Sequence, residues 1–504
     1  MRENGRGLGR HPQLLVLIRK VRGQALEKRF VIFALFGLLS SALLRPIVCD
    51  AKEPLISAYA DGKERVCLDC HRSPNINTNE GVINSRAICM ECHSKSECNK
   101  DIGTQQVSLQ LGKNSFGKTP HRYVACVQCH RDLARLPHES EAGAQCLSCH
   151  VVHGEKEIHD PHLRVRCQAC HRVSKYVVLD HKSNEVRLSH FDENGTVVSL
   201  TNHSLPDVKN KEFCLRCHFK GNRVGAAAAV LPSKSVICML CHTSPISIGH
   251  KLFWIPLLLL VLGVLSLILF WFKGNVEGEK DSLHRKIALA SEKIWQKIFS
   301  REIFTLFSVF FLDVILQRRL LQESVRRWGL HSLIYLSIVL RFSLSVFTLV
   351  VFNLWPHSSW AMALINKDTA FVAFTYDLLG LFIIIGVCWA AISRLITKPP
   401  HVISEMQDNL ALVIIGLLVV FGFILEGARI LITQIPGGIA WYSFIGFPLS
   451  RLLSDFGFDW PYIYQFIWYA HAFVGAALIA YLPFGKMKHV ISTPLNLMIS
   501  YKDE

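Results

Sequence analysis

Between Cys67 and Cys241 the pattern C-x-x-C-H occurs seven times, and no other feature restricts the fold of this chain so severely. The copies are Cys67/Cys70/His71, Cys89/Cys92/His93, Cys126/Cys129/His130, Cys146/Cys149/His150, Cys167/Cys170/His171, Cys214/Cys217/His218 and Cys238/Cys241/His242. Residues 50–250 hold all seven, so each copy has fewer than 30 residues to itself. Such a segment cannot build a large aliphatic core. Most copies start 20–24 residues apart, with longer gaps before Cys126 and Cys214, so the array is loose rather than a strict structural repeat.

Two thiols at this spacing form thioethers to the vinyl groups of one haem, and the next histidine reaches its iron. Zinc ribbons also use C-x-x-C pairs, but they do not require a histidine directly after the second cysteine. Here it is present in all seven copies, which points to seven c-type haems as the core of the segment. The usual alternative sixth ligand is methionine, which raises the potential. Residues 50–250 contain only Met90 and Met239, both inside motifs and badly placed to reach another iron. Nine histidines lie outside the motifs: His121, His138, His153, His159, His162, His181, His190, His203 and His250. These are the candidate distal ligands, and most of the haems are expected to be bis-histidine and low in potential. Saturated, closely spaced irons favour electron transfer over substrate chemistry.

The rest of the chain sets the location. Residues 1–49 are expected to be a signal peptide or signal anchor: a basic stretch precedes the apolar run Val31–Leu44, too short for an ordinary span. Pro46-Ile47-Val48-Cys49 is a poor lipidation signal. Residues 50–250 form the extracytoplasmic haem region and 251–504 a transmembrane domain. Apolar spans read Leu252–Phe272, His331–Phe352, Thr369–Ile396, Leu410–Ile432 and Ile463–Phe484. The fold class is therefore mainly α, with a loop-rich multihaem region followed by a five-helix bundle. The formal net charge of +16 does not argue for nucleic acid, because the basic residues gather beside the spans. Residues 273–330 carry eleven Lys/Arg, whereas loop 354–368 has only Lys367 and loop 434–462 only Arg451. The positive-inside rule puts 273–330 and the C-terminus in the cytoplasm of a bacterial inner membrane, and the haem region outside. The short apolar run Ile303–Leu316, interrupted by Asp313, reads as an interfacial amphipathic helix.

Histidine inside a bilayer is a functional hypothesis by default. Span two opens on Arg327-Trp328-Gly329-Leu330-His331; span five carries His471, and Pro483-Phe484-Gly485-Lys486-Met487-Lys488-His489 follows. With five spans, these motifs resemble the gamma-subunit cytochrome b of respiratory nitrate reductase, and the membrane subunits of heterodisulfide-reductase and sulfite-reduction complexes. The resemblance covers roughly residues 250–495. It implies two b-haems between spans two and five and electron exchange with quinol. His331 matches the cytoplasmic-side ligand, His489 its partner on span five, and His471 the ligand of the outer haem. The expected partner of His471 lies ten residues after His331, where this chain has Arg341. One or two b-haems are therefore expected. Some of the intramembrane charges Arg341, Asp377, Glu426 and Arg429 are expected to form a quinone pocket with His471, the candidates being Arg341, Asp377 and Glu426, with Asp377 or Glu426 handling protons.

The leading expectation is quinol:cytochrome c electron transfer between the menaquinone pool, a b-haem, seven c-haems and a periplasmic acceptor or donor. One alternative is a terminal reductase of a small oxyanion, with one c-haem open to substrate. Another is a relay subunit that receives electrons from a cytoplasmic iron–sulfur partner on 273–330. Cys98 and Cys388 read as buried free thiols.

Overall fold

A computed structural model describes most of residues 86–499; the longer stretches it leaves undescribed between them are 112–118, 131–145, 151–159, 197–211, 276–281 and 398–405. The signal region, Cys49, the first motif (Cys67, Cys70, His71), Cys92 and the candidate ligands His138, His153, His159, His190 and His203 lie outside the described residues. By contacts the chain divides into Met1–Cys70 and His71–Glu504, so the described motifs and all the membrane helices share one compact unit.

The chain is mainly helical, and it is a multi-pass membrane protein: five helices are long and apolar enough to cross a bilayer. Five major helices, with four shorter ones between and after them, carry the argument: α1 Trp254–Asn275, α2 Leu283–Ile298, α3 Glu302–Val309, α4 Val325–Leu354, α5 Ala370–Ile392, α6 Met406–Thr433, α7 Gly446–Ser454, α8 Trp460–Tyr481 and α9 His489–Ile499. The sequence places the spanning elements correctly and misplaces their ends. α4 begins six residues before His331, because Ser324 caps it by accepting the Arg327 amide. α8 starts at Trp460, where Asp459 accepts the Tyr462 amide and Pro461 occupies the first turn.

The Ile303–Leu316 run is α3 followed by a π-helical turn, Phe310–Ile315. Asp313 is buried in that turn and pairs with Arg318 at 3.0 Å and Arg319 at 3.6 Å. The carboxylate so neutralised lets an apolar segment end at the basic face without spanning.

The haem-motif region is sparse in regular structure, as its composition requires. Its described residues contain two hairpins, β1 Asn99–Ile102 with β2 Gln105–Ser108 and β3 Val177–Asp180 with β4 Glu185–Leu188. Single helical turns carry the motifs at Cys126–Cys129, Cys167–His171, Glu212–Leu215 and Val236–Leu240. Its aliphatic cluster under β3–β4 is small, built from Ala169, Leu179, Val186 and Val224.

This region is seated on one end of the bundle. Arg164 donates to the Thr433 carbonyl at 2.8 Å, and the Ala228 amide to the Pro461 carbonyl at 2.8 Å. Leu163 packs on the cluster of Val351, Phe352, Ala361 and Ile365. At Gly225 (φ +73°) a Cβ would stand 2.7 Å from the Ile432 carbonyl oxygen, so only glycine permits this approach. The same end holds the Arg429–Asp368 ion pair at 2.7 Å, with side chains only 11% and 15% exposed. Breaking such a pair leaves an uncompensated charge, at a cost of about 3–5 kcal/mol. Asp368→Asn is expected to lower the thermal midpoint of the detergent-solubilised protein markedly, and the double variant Asp368→Leu/Arg429→Leu to recover much of the loss; differential scanning fluorimetry reads both.

Candidate functional site

Histidine pairs run through the described unit, and each is held by specific backbone devices. His331 lies on α4 and His489 opens α9, with ring centroids 6.2 Å apart. His489 does not lie on α8, the fifth span, where the resemblance put it. Gly485, at φ +59°, turns the chain after α8, and a Cβ there would stand 2.5 Å from the Tyr481 hydroxyl. The turn brings His489 back over the bundle end. His489 Nδ1 donates to the Lys486 carbonyl at 2.6 Å. His331 Nδ1 donates to Gln317 Oε1 at 2.9 Å. Gln317 adopts the left-handed region (φ 52°), a conformation that costs free energy at a non-glycine residue and recurs at functional sites. Trp328 and Tyr335 pin the same turn by donating to the Leu316 and Val314 carbonyls at 2.9 and 3.2 Å. With both Nδ1 atoms committed, each ring has Nε2 left to bind something.

Metal–imidazole bonds run about 2.0 Å and a ring nitrogen lies about 1.1 Å from its ring centre, so two imidazoles in line on one ion have centroids about 6.3 Å apart. The His331–His489 spacing fits that distance. So does His162 with His218 of the sixth motif, at 6.1 Å. His218 Nδ1 donates to the Ala227 carbonyl at 2.9 Å, and burial pushes its imidazole below the ordinary value, which favours the neutral form that binds metal. His121 meets His150 of the fourth motif closer in, at 5.5 Å between centroids and 3.3 Å between Nε2 atoms. In the second motif His93 Nδ1 donates to the Leu109 carbonyl at 3.0 Å, and Cys98 Sγ lies 3.8 Å from that nitrogen.

The third and fifth motifs differ in how the backbone carries their histidines. His130 does not continue the Cys126–Cys129 turn: it ends it, at φ −101° and ψ 66°, with its amide donating to the Cys126 carbonyl at 2.9 Å. Its ring is half-buried. His171, by contrast, is the last residue of the Cys167–His171 turn. The axial role of both stays an expectation of the motif. Two further distal candidates lie elsewhere in the described region. His250 accepts the Leu252 amide and caps the turn entering α1. His181 is exposed on the β3–β4 turn.

Successive motifs are neighbours. The Cys89 and Cys126 thiols hydrogen-bond, as do Cys146 and Cys167, while Cys129 lies near Cys149 and Cys170 near Cys214 and Cys217. Motifs two to six thus follow one another in space in chain order. The seventh departs from the others by entering the bundle. Cys241 packs against the bundle cluster of Ile383, Ile415, Leu418 and Leu478, and Cys238 against that of Ile237, Phe253 and Ile479. His242 faces His471 of α8 with centroids 6.4 Å apart and ring planes 22° apart. Cys388, expected to be buried, is exposed on α5, and Cys98 is half-buried.

The four intramembrane charges do not form one group. Arg429 pairs with Asp368. Asp377 and Glu426 come together around residues 443–446: Asp377 Oδ2 accepts the Ile445 and Gly446 amides at 2.7 and 3.2 Å, and Glu426 Oε1 accepts from Ser443 Oγ at 2.9 Å. Asp377 therefore caps α7. Arg341 donates to the Tyr376 carbonyl, its guanidinium 5.3 Å from the Tyr376 ring centre, and lies within electrostatic reach of Cys241.

No family model and no solved structure matches the chain. Among curated proteins it is similar to one subunit of the dihydromethanophenazine:CoB–CoM heterodisulfide reductase of Methanosarcina acetivorans, with 27% identity over 191 residues, covering 38% of this chain. The chain spans 64% of that relative's length. The same subunit of Methanosarcina barkeri is 25% identical over 227 residues, 44% of this chain and 76% of the relative. The EtfAB:quinone oxidoreductase of Syntrophomonas wolfei is 23% identical over 264 residues, 48% of this chain and 33% of the relative. The heterodisulfide-reductase part of the sequence resemblance is thus found again among curated proteins.

The roles of Gln317 and Gly485 and the burial of Cys241 are not readable from the sequence, because none carries a spacing signal. Asp377→Asn keeps one neutral acceptor for two backbone donors. It is expected to cost about 1–3 kcal/mol, read as a lowered thermal midpoint with haem content unchanged.

Proposed function

We propose that this chain moves electrons between a membrane quinol, on low-potential grounds menaquinol, and a partner outside the cytoplasmic membrane, through a b-type haem and seven c-type haems. The observation that carries this reading is the His331–His489 pair: two rings with both Nδ1 atoms bonded to protein, at the spacing of axial ligands, on a multi-pass bundle. The haem iron supplies one-electron chemistry. The protein residues orient the imidazoles, exclude water and neutralise charge. Gln317 and the Lys486 carbonyl fix the tautomers of His331 and His489. Asp377 and Glu426, gathered at the bundle end that seats the c-motif region, would accept quinol protons on the outer side. The row of adjoining motifs two to six supplies a continuous route away from the membrane. The names of the relatives, one a quinone oxidoreductase and the others reductase subunits, support membrane electron transfer.

Those subunit names also favour a second reading, a relay in a larger complex with an iron–sulfur partner on the basic 273–330 face. Cytoplasmic subunits that copurify in stoichiometric amount would support it.

Haem extraction with pyridine hemochrome assay tests the main reading. Covalent c-haem and extractable b-haem are expected together in the purified protein, and absence of extractable haem overturns the b-site. His331→Ala and His489→Ala are expected to abolish extractable haem with covalent haem unchanged. Gln317→Leu is expected to weaken haem retention about 10–100-fold. Glu426→Gln is expected to keep both haem types and slow quinol oxidation at least tenfold; an unchanged rate would remove Glu426 from proton handling.

A further inference from the structure

We infer that His471 is the distal axial ligand of the seventh c-type haem, carried on Cys238, Cys241 and His242, so that a covalently held haem sits within the transmembrane bundle. The inference rests on the haem reading above and goes beyond it. The resemblance noted in the sequence gives His471 to a second, non-covalent b-haem; the geometry points elsewhere.

The tether comes first. His242 lies nine residues before Lys251, where the segment leading into the first span begins, so the seventh motif cannot leave the membrane surface. Its turn, Val236–Leu240, packs on α8 through the buried cluster of Ile237 and Ile479, against which Cys238 and Leu240 also lie. Cys241, half-buried, packs against the cluster of Ile383 of α5, Ile415 and Leu418 of α6 and Leu478 of α8. A thiol destined for a thioether therefore stands against the membrane helices.

The ring geometry comes second. His242 and His471 are 6.4 Å apart between centroids, against 6.2 Å for His331–His489 and 6.1 Å for His162–His218. All three match the separation of about 6.3 Å that two axial imidazoles require. His242 is the proximal residue of its own motif, which leaves His471 the opposite face of the same iron. Small residues surround His471 on α8 and α6: Ala472 and Gly475 flank it, and a Cβ on Gly422 would stand 3.6 Å from its Cε1.

Arg341 supplies the third observation. It occupies the position where the resembled cytochromes have the partner of His471. Its Nε is buried without a hydrogen-bond partner, and its charge acts on both Cys241 and His471. At Gly380 a Cβ would stand 2.8 Å from an Arg341 Nη, so α5 is glycine where the guanidinium needs room. A cation with a spare donor, within electrostatic reach of a haem thiol and a haem ligand, suits a haem propionate. One substitution thus removes a b-haem ligand and adds a counter-charge for a c-haem.

The test is a His471→Ala variant of the full chain, read by haem counting and low-temperature EPR. Expected are seven covalent haems and one extractable b-haem, as in the parent, with one c-haem converted from low-spin to high-spin and open to carbon monoxide. Loss of extractable haem makes His471 a b-ligand and overturns the inference; so does an all-low-spin spectrum. If that variant does not accumulate, His471→Met fills the site and keeps a ligand, and the midpoint potential of one c-haem is expected to rise. Unchanged c-haem potentials in that variant overturn the inference. Mass spectrometry of the parent peptide containing Cys238 and Cys241 separates the two levels. A peptide without haem mass refutes the covalent-haem reading at this motif, whereas a haem-bearing peptide with b-haem lost from the His471 variants refutes only the axial assignment.

Discussion

An imidazole buried among aliphatic helices must satisfy two ring nitrogens, and the bundle is organised around that demand. Leaving either nitrogen unpaired in an apolar interior costs free energy, so a membrane histidine is retained only where something binds it. His331 and His489 show the solution at one end of the bundle. Each gives Nδ1 to a protein oxygen and turns toward a partner ring 6.2 Å away. The surrounding backbone is shaped to hold them. The left-handed Gln317, the π-turn before it and Gly485 are each unfavourable or restrictive on their own, and each places one of these two rings. Strain of this kind persists where the surroundings over-determine it.

The same demand explains why the motif region is built against the membrane helices. Among the described residues, the buried aliphatic cluster under β3–β4 holds four side chains, Ala169, Leu179, Val186 and Val224. The seat on the bundle adds to what holds them. The Gly225–Ile432 approach and the Arg164–Thr433 hydrogen bond fasten the region to the C-terminal end of α6, and Leu163 to that of α4. Orientation by positive charge agrees with this seat: the loops beneath it are poor in Lys and Arg, and the far end carries the basic segment.

Much of this was legible from the sequence, and the physical reason is the range of the signal. Spans read correctly because twenty apolar residues are a local property, and capping by Ser324 and Asp459 moved their starts by only a few residues. The Ile303–Leu316 run is helical, as its apolar pattern implies, but its π-turn and the two arginine partners of Asp313 were not foreseen. Ring juxtapositions such as His121–His150 and His162–His218 stayed hidden because they join residues far apart in the sequence. Which of the intramembrane charges meet was not readable either: Asp377 and Glu426 come together around residues 443–446, whereas Arg341 bonds the Tyr376 carbonyl.

Depth along α4 ties the two histidine sites into one route. His331 and Arg341 are ten residues apart on a continuous helix, about 15 Å along its axis. Arg341 marks the level of Cys241, His242 and His471. The seventh motif and the His331–His489 site are therefore successive stations within one set of helices, with aliphatic side chains such as Ile334 and Ile338 between them. A covalent attachment at the upper station has a mechanical consequence that a loosely held cofactor would lack. The motif region and the bundle would share a ligand set, one axial residue from each, so the two could not separate without breaking an iron–imidazole bond. The seat formed by Gly225, Arg164 and Leu163 then has the further role of holding His242 opposite His471.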